Sequence, residues 1–118
     1  MKAVAQIRRI VAEWRIFMVR HIVMFQFKSE ADGRTKKENV AIAKKMLEKL
    51  LGVVPTLKSL SVKLNHALAD QENYDLVLIS EFDNLEALEE YIVHPAHKEV
   101  SEFIGKVREK RACIDFEN

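Results

Sequence analysis

The stretch from Met18 to Phe27 alternates without a break, with His21, Val23, Phe25 and Phe27 on one side of an extended chain and Ile22, Met24 and Gln26 on the other. Both sides are largely apolar, so a strand here needs cover on both faces. The same demand recurs at residues 74–82, where Leu76, Leu78 and Phe82 oppose Val77 and Ile79. A strand of that kind belongs in the middle of its sheet.

The segments between and around these strands supply the rest of a domain. Residues 28–34 read as a polar loop, and Thr35-Lys36-Lys37-Glu38 is a capping-box signature that opens a helix. Its inward stripe is Val40, Ala43, Met46, Leu47, Leu50 and Leu51, and Gly52 stops it. After Val53-Val54-Pro55, residues 57–64 alternate Leu60, Val62 and Leu64 against Ser59, Ser61 and Lys63, a strand with one wet face. Asp83 or Asn84 caps a helix over residues 85–93 with Leu88, Tyr91 and Ile92 inward. Pro95 fits the first turn of a further helix that carries Val100, Phe103, Ile104 and Val107. Residues 111–117 close the chain as a fourth strand, with Ala112, Ile114 and Phe116 alternating against Arg111, Cys113 and Asp115. The order β-α-β-β-α-β predicts an α+β, ferredoxin-like unit with an antiparallel four-stranded sheet and helices on one face.

That architecture leaves Ile22, Met24, Val77 and Ile79 as an apolar patch on the side without helices, larger than monomers ordinarily expose. A second copy packed sheet to sheet resolves the conflict, so a homodimer with a barrel-like interior is expected through those four residues.

Composition narrows the class of protein. The 118 residues carry a formal net charge of +1, which offers no sequence-wide attraction for nucleic acid or an anionic membrane. Cys113 is the only cysteine, which excludes an internal disulfide and a four-cysteine zinc site and suits a reducing, cytoplasmic compartment. Residues 1–17 differ from the rest. They hold Lys2, Arg8, Arg9 and Arg15 against Glu13, and Val4, Ile7, Val11 and Trp14 recur at helical spacing, so they read as a basic amphipathic extension to a domain over residues 18–118. The extension lacks the apolar run of a secretory signal, and no stretch reaches transmembrane length. It is read as a helix docked on the domain or a partner, or as sequence upstream of a natural start at Met18, in preference to a membrane-surface anchor.

The candidates for chemistry are few. His21 lies on the helix-facing side of the first strand, Tyr91 on the inward stripe of the second helix, and His97 in the first turn after Pro95, so the three converge at one end of the layer between helices and sheet. A histidine beside a tyrosine hydroxyl is an acid/base pair in waiting, because imidazole titrates near neutrality and a phenol polarises a carbonyl. Buried tyrosines and histidines also commonly satisfy one another or the backbone and do nothing else. His94-Pro95-Ala96-His97 is a weak two-histidine clip with no third fixed ligand, so no metal is expected, and His94 reads as a turn or capping residue. Glycine-rich phosphate loops, H-E-x-x-H and G-x-S-x-G are all missing, which sets aside nucleotide and serine-hydrolase chemistry.

Arg20-His21-Ile22-Val23-Met24-Phe25, Tyr74-Asp75-Leu76 and Glu90-Tyr91-Ile92-Val93-His94-Pro95-Ala96-His97 together resemble the stress-responsive dimeric A/B barrel (Dabb) family over about residues 18–117. The resemblance implies the ferredoxin-like fold and the sheet-to-sheet homodimer. The family includes plant stress proteins, uncharacterised bacterial proteins and a polyketide cyclase branch that closes a linear tetraketide acid by aldol chemistry without cofactor or metal. Carried over from that branch, His97 is the general base, Tyr91 the hydroxyl that holds the reacting carbonyl, and His21 a pocket residue. Where the branch places aromatic residues around its substrate tail, this chain has Ala43 and Leu47. Two functions follow. One is a homodimer with an apolar pocket for a small apolar or aromatic ligand, contacted by His21, Val23, Phe25, Leu47 and His94. The other is a cofactor-independent lyase, cyclase or isomerase that uses His97 and Tyr91.

Overall fold

A computed structural model describes residues 17–118. The proposed basic extension thus lies outside the described residues except for Phe17. Strand β1 (Val19–Phe27) leads into a small hairpin, β2 (Glu30–Ala31) and β3 (Arg34–Thr35), and then helix α1 (Lys36–Glu48). Strands β4 (Ser59–Leu64) and β5 (Leu76–Phe82) follow, then helices α2 (Leu85–Val93) and α3 (Pro95–Val107), and β6 (Arg108–Glu117) ends the chain. The four long strands form one sheet in the order β4-β5-β1-β6, each neighbour antiparallel. This is the ferredoxin-like arrangement that the alternation and helix patterns predict, with the two doubly apolar strands in the centre.

Local chemistry explains the element ends. Thr35 accepts the Glu38 amide on its side chain while the Glu38 carboxylate accepts the Thr35 amide, a complete capping box that satisfies two otherwise orphaned donors. Asn84 caps α2 by accepting the Ala87 amide at 2.8 Å. His94 does the same for α3, its Nδ1 accepting the Ala96 amide at 3.0 Å, with Pro95 in the first turn.

Several details differ from the sequence reading. Where residues 28–34 read as a loop, residues 30–35 form the β2–β3 hairpin, closed by Asp32 and Gly33 at φ 55° and 75°, the left-handed pair that a tight Asp-Gly turn needs. Helix α1 stops at Glu48, before Gly52, and Leu51 in the turn beyond it faces solvent at 47% exposure. Ile92 is likewise on the outer side of α2, because Leu88 and Tyr91 already occupy its narrow buried stripe. Strand β6 starts at Arg108, directly after α3. Near its start the register with β1 slips: Gln26 faces Lys110 but Phe27 faces Arg108, leaving Glu109 as the extra residue of a bulge.

The core lies between the helices and one sheet face, built from Val19, Val23, Phe25 and Phe27 of β1, Leu76, Leu78 and Phe82 of β5, and Ala43, Leu47, Leu88, Tyr91 and Ile104 of the helices. On the opposite face the strand registers align Ile22, Met24, Val77 and Ile79 with Ala112, Ile114 and Phe116 of β6. Among the described residues that face carries no helix. Ile114 is 60% exposed, and Met24 and Phe116 are nearly two fifths exposed. Among the described residues no helix is long and apolar enough to cross a membrane.

Candidate functional site

Alternation puts His21 on the helix side of β1, where it is almost fully buried. Its neighbours across the sheet are Ser80 of β5 and Asp115 of β6. The Ser80 hydroxyl donates to the His21 carbonyl at 3.1 Å, and the His21 ring hydrogen-bonds through Nδ1 to the Asp115 carboxylate. Cys113 stands beside them, its Sγ 3.6 Å from His21 Nδ1 and 3.8 Å from Asp115 Oδ1. Burial and the Asp115 charge push the Cys113 thiol up from its ordinary pKa, against a smaller opposing influence of Arg111. The thiol is therefore held as the weakly nucleophilic S–H form. The His21, Cys113 and Asp115 donor atoms lie within 4.8 Å of one another, a set of types that can ligate a soft divalent cation. The sequence does not reveal this trio, because the register of β6 against β1 is a long-range property.

His97 enters from the first turn of α3, half-buried. Its Nδ1 lies 3.0 Å from the Ile92 carbonyl oxygen. A carbonyl only accepts, so Nδ1 carries the hydrogen and Nε2 keeps its lone pair in the neutral ring. Burial holds the His97 pKa below its ordinary value of 6.5; the Ile92 hydrogen bond opposes this, and the charges of His21, Arg111 and His94 reinforce it. At neutral pH His97 is thus an uncharged base with one nitrogen available.

Tyr91 lies behind it, fully buried, in an aromatic cluster: its ring centroid is 4.4 Å from that of His97, 5.0 Å from Phe82 and 6.3 Å from His21. Its hydroxyl is buried and has no hydrogen-bond partner among the described residues. Burial also pushes the phenol pKa above its ordinary value of 10, so the group is a standing O–H donor and not a base.

A cavity of about 110 Å³ opens between α1, α3 and the sheet. It brings together five of the residues expected there, His21, Val23, Phe25, Leu47 and His97, and adds Leu78, Val100, Ser101, Ile104, Arg108 and Arg111. Tyr91 and His94 do not line it. The first is covered by its neighbours, and the second caps α3. A more open cavity of about 490 Å³, bounded by Met24, Leu64, Tyr74 and Val77 at the end of the sheet, has no histidine in its walls. The smaller cavity holds both His21 and His97 and is the candidate site.

The chain is similar in sequence and fold to known proteins. The family model described as Stress responsive A/B Barrel Domain matches residues 19–118. Olivetolic acid cyclase of Cannabis sativa is 24% identical over 99 residues, covering 83% of this chain and 94% of the cyclase. A solved dimeric protein of unknown function and ferredoxin-like fold from Bacteroides fragilis is 30% identical with a TM-score of 0.72, covering 86% of this chain and 96% of the other. A dimeric ferredoxin-like protein of unknown function from Thermobifida fusca is 26% identical, also at a TM-score of 0.72, covering 86% of this chain and 91% of its own.

Proposed function

The chain belongs to the stress-responsive A/B barrel domain family, and from that premise we propose that it acts as a homodimer that binds a small molecule in the cavity between its helices and sheet. The observation that carries this reading is the cavity wall itself. Apolar side chains from β1, β5, α1 and α3 line it together with a few polar groups, among them His97, whose Nε2 keeps a lone pair for a ligand. Dimerisation rests on the bare face of Ile22, Met24, Val77 and Ile79, extended by Ile114 and Phe116, together with the dimeric state of two similar solved proteins. A reducing, cytoplasmic location is proposed with it, from the single unpaired Cys113.

A second reading, a cofactor-independent lyase, cyclase or isomerase, is favoured by the unsatisfied Tyr91 hydroxyl. His97 Nε2 would take a proton from a carbon next to a carbonyl while the Tyr91 O–H donates to that carbonyl oxygen as negative charge develops there. Tyr91 is buried among His97, Phe82 and His21, so this reaction requires those neighbours to shift as substrate enters.

Native mass spectrometry of the gently purified protein tests the first reading. The expected spectrum shows two chains with a reproducible retained mass that His97→Ala reduces. A monomer overturns the association, and a dimer that binds none of a panel of small carbonyl compounds overturns the pocket.

A further inference from the structure

The cavity is apolar on one side and cationic at its rim, and the cations are there because of the β6 bulge. Arg108 and Arg111 are three residues apart, a spacing that places side chains on opposite faces of a regular strand. The slipped register changes this: Arg111 faces Phe25 and Arg108 faces Phe27, both on the helix side of β1. Both arginines therefore border the same cavity as His97. Bulges commonly re-aim side chains beside binding sites.

Among the described residues neither arginine is in an ion pair, although carboxylates are plentiful elsewhere on the domain and pair with Arg34, Lys36, Lys44 and Lys58. No acidic side chain among the described residues lines the cavity. The wall opposite is formed by Val23, Phe25, Leu47, Leu78, Val100 and Ile104. We infer that the natural ligand is an organic anion, a compact apolar body carrying one carboxylate or phosphate head group that Arg108 and Arg111 hold at the rim. A closed apolar cavity of about 150 Å³ accommodates benzene, so a volume of about 110 Å³ with an open mouth suits a body of roughly six carbons. Guanidinium groups match planar oxyanions by paired hydrogen bonds, which makes arginine the fitting residue at this place. The inference rests on the small-molecule reading above and narrows its ligand to anions.

Calorimetric titration of the full-length dimer at about pH 7.5 with benzoate, phenyl phosphate and neutral benzamide tests it, the acids being ionised there. One anion is expected to bind at least about tenfold tighter than benzamide, and about 1 M salt should narrow that gap. The tighter of the two anions identifies the head group. Arg108→Met with Arg111→Met should remove the preference, so that benzoate, phenyl phosphate and benzamide bind this variant alike, since methionine keeps much of the apolar stem and loses the charge. Arg111→Gln, at an exposed position, serves if the double variant does not fold. Equal binding of benzoate, phenyl phosphate and benzamide overturns the anion preference while the pocket stands. Failure of all three to bind overturns the pocket reading and the inference with it.

Discussion

The ring of His97 packs on the ring of Tyr91 with centroids 4.4 Å apart, and the Tyr91 hydroxyl is buried with no partner among the described residues. A buried donor left unpaired costs about 1–3 kcal/mol. Tyr91→Phe should therefore leave the empty protein as stable as the original or raise its melting temperature. If the hydroxyl serves a bound carbonyl, the same variant should slow hydrogen–deuterium exchange at the central carbon of a cyclic 1,3-diketone probe, followed by NMR. His97→Ala should lower that exchange by about 10²–10⁴-fold, the usual worth of a positioned base. Exchange that persists in His97→Ala would remove His97 from the reaction.

The depressed pKa of His97 sets a pH profile. Because the folded state binds this proton less readily than the unfolded chain, the stability His97 contributes is present above 6.5 and is lost as pH falls through the lowered folded value. Proton abstraction should rise with pH through an inflection below 6.5, and the His97 ring signals should titrate there. The groups acting on the ring are the Ile92 carbonyl and the charges of His21, Arg111 and His94. Arg111→Met removes one of the lowering influences, so the inflection should move upward; a downward move would contradict the electrostatic account.

Much of the fold is legible in single residues because the patterns that specify it are local. The period of two in residues 19–27 and the Thr35–Glu38 box each act within a few positions, and both appear where the pattern places them. Leu51 and Ile92 misled because an apolar residue at a stripe's edge is buried only if the helix runs far enough and the neighbouring layer is wide enough. The site was legible only on one side. His21 and His97 follow from strand and helix periodicity, whereas Cys113, Asp115 and both cavity arginines reach it through the pairing of β6 with β1. That register, and the bulge at Glu109, depend on contacts between opposite ends of the chain, and the alternation within residues 111–117 fits several registers equally.

Cys113 illustrates a consequence of that pairing. Its side chain is exposed, yet partial burial and, after it, the nearby Asp115 carboxylate raise its pKa. Alkylation by iodoacetamide at neutral pH should be slower than for a free thiol, since the thiolate is the reacting form. Asp115→Asn removes one raising influence and should speed the reaction. If the two proteins react at equal rates, the Asp115 charge does not govern the thiol.

The unhelixed face makes the sharpest structural prediction. Met24 of β1 and Ile79 of β5 lie in its middle, on neighbouring central strands, while Glu81 at one end is tied to Ser59 and Arg20. A charge placed in the apolar middle would have to be desolvated against a second copy without a partner, which costs several kcal/mol. In a monomer the same charge simply meets water. Met24→Glu or Ile79→Lys should consequently turn the dimer into a folded monomer by analytical ultracentrifugation, with helix content unchanged by circular dichroism. Val93→Lys, on an already exposed part of α2, should leave the dimer intact. An intact dimer in Met24→Glu and Ile79→Lys would show that self-association uses another surface and that the bare face has a different occupant.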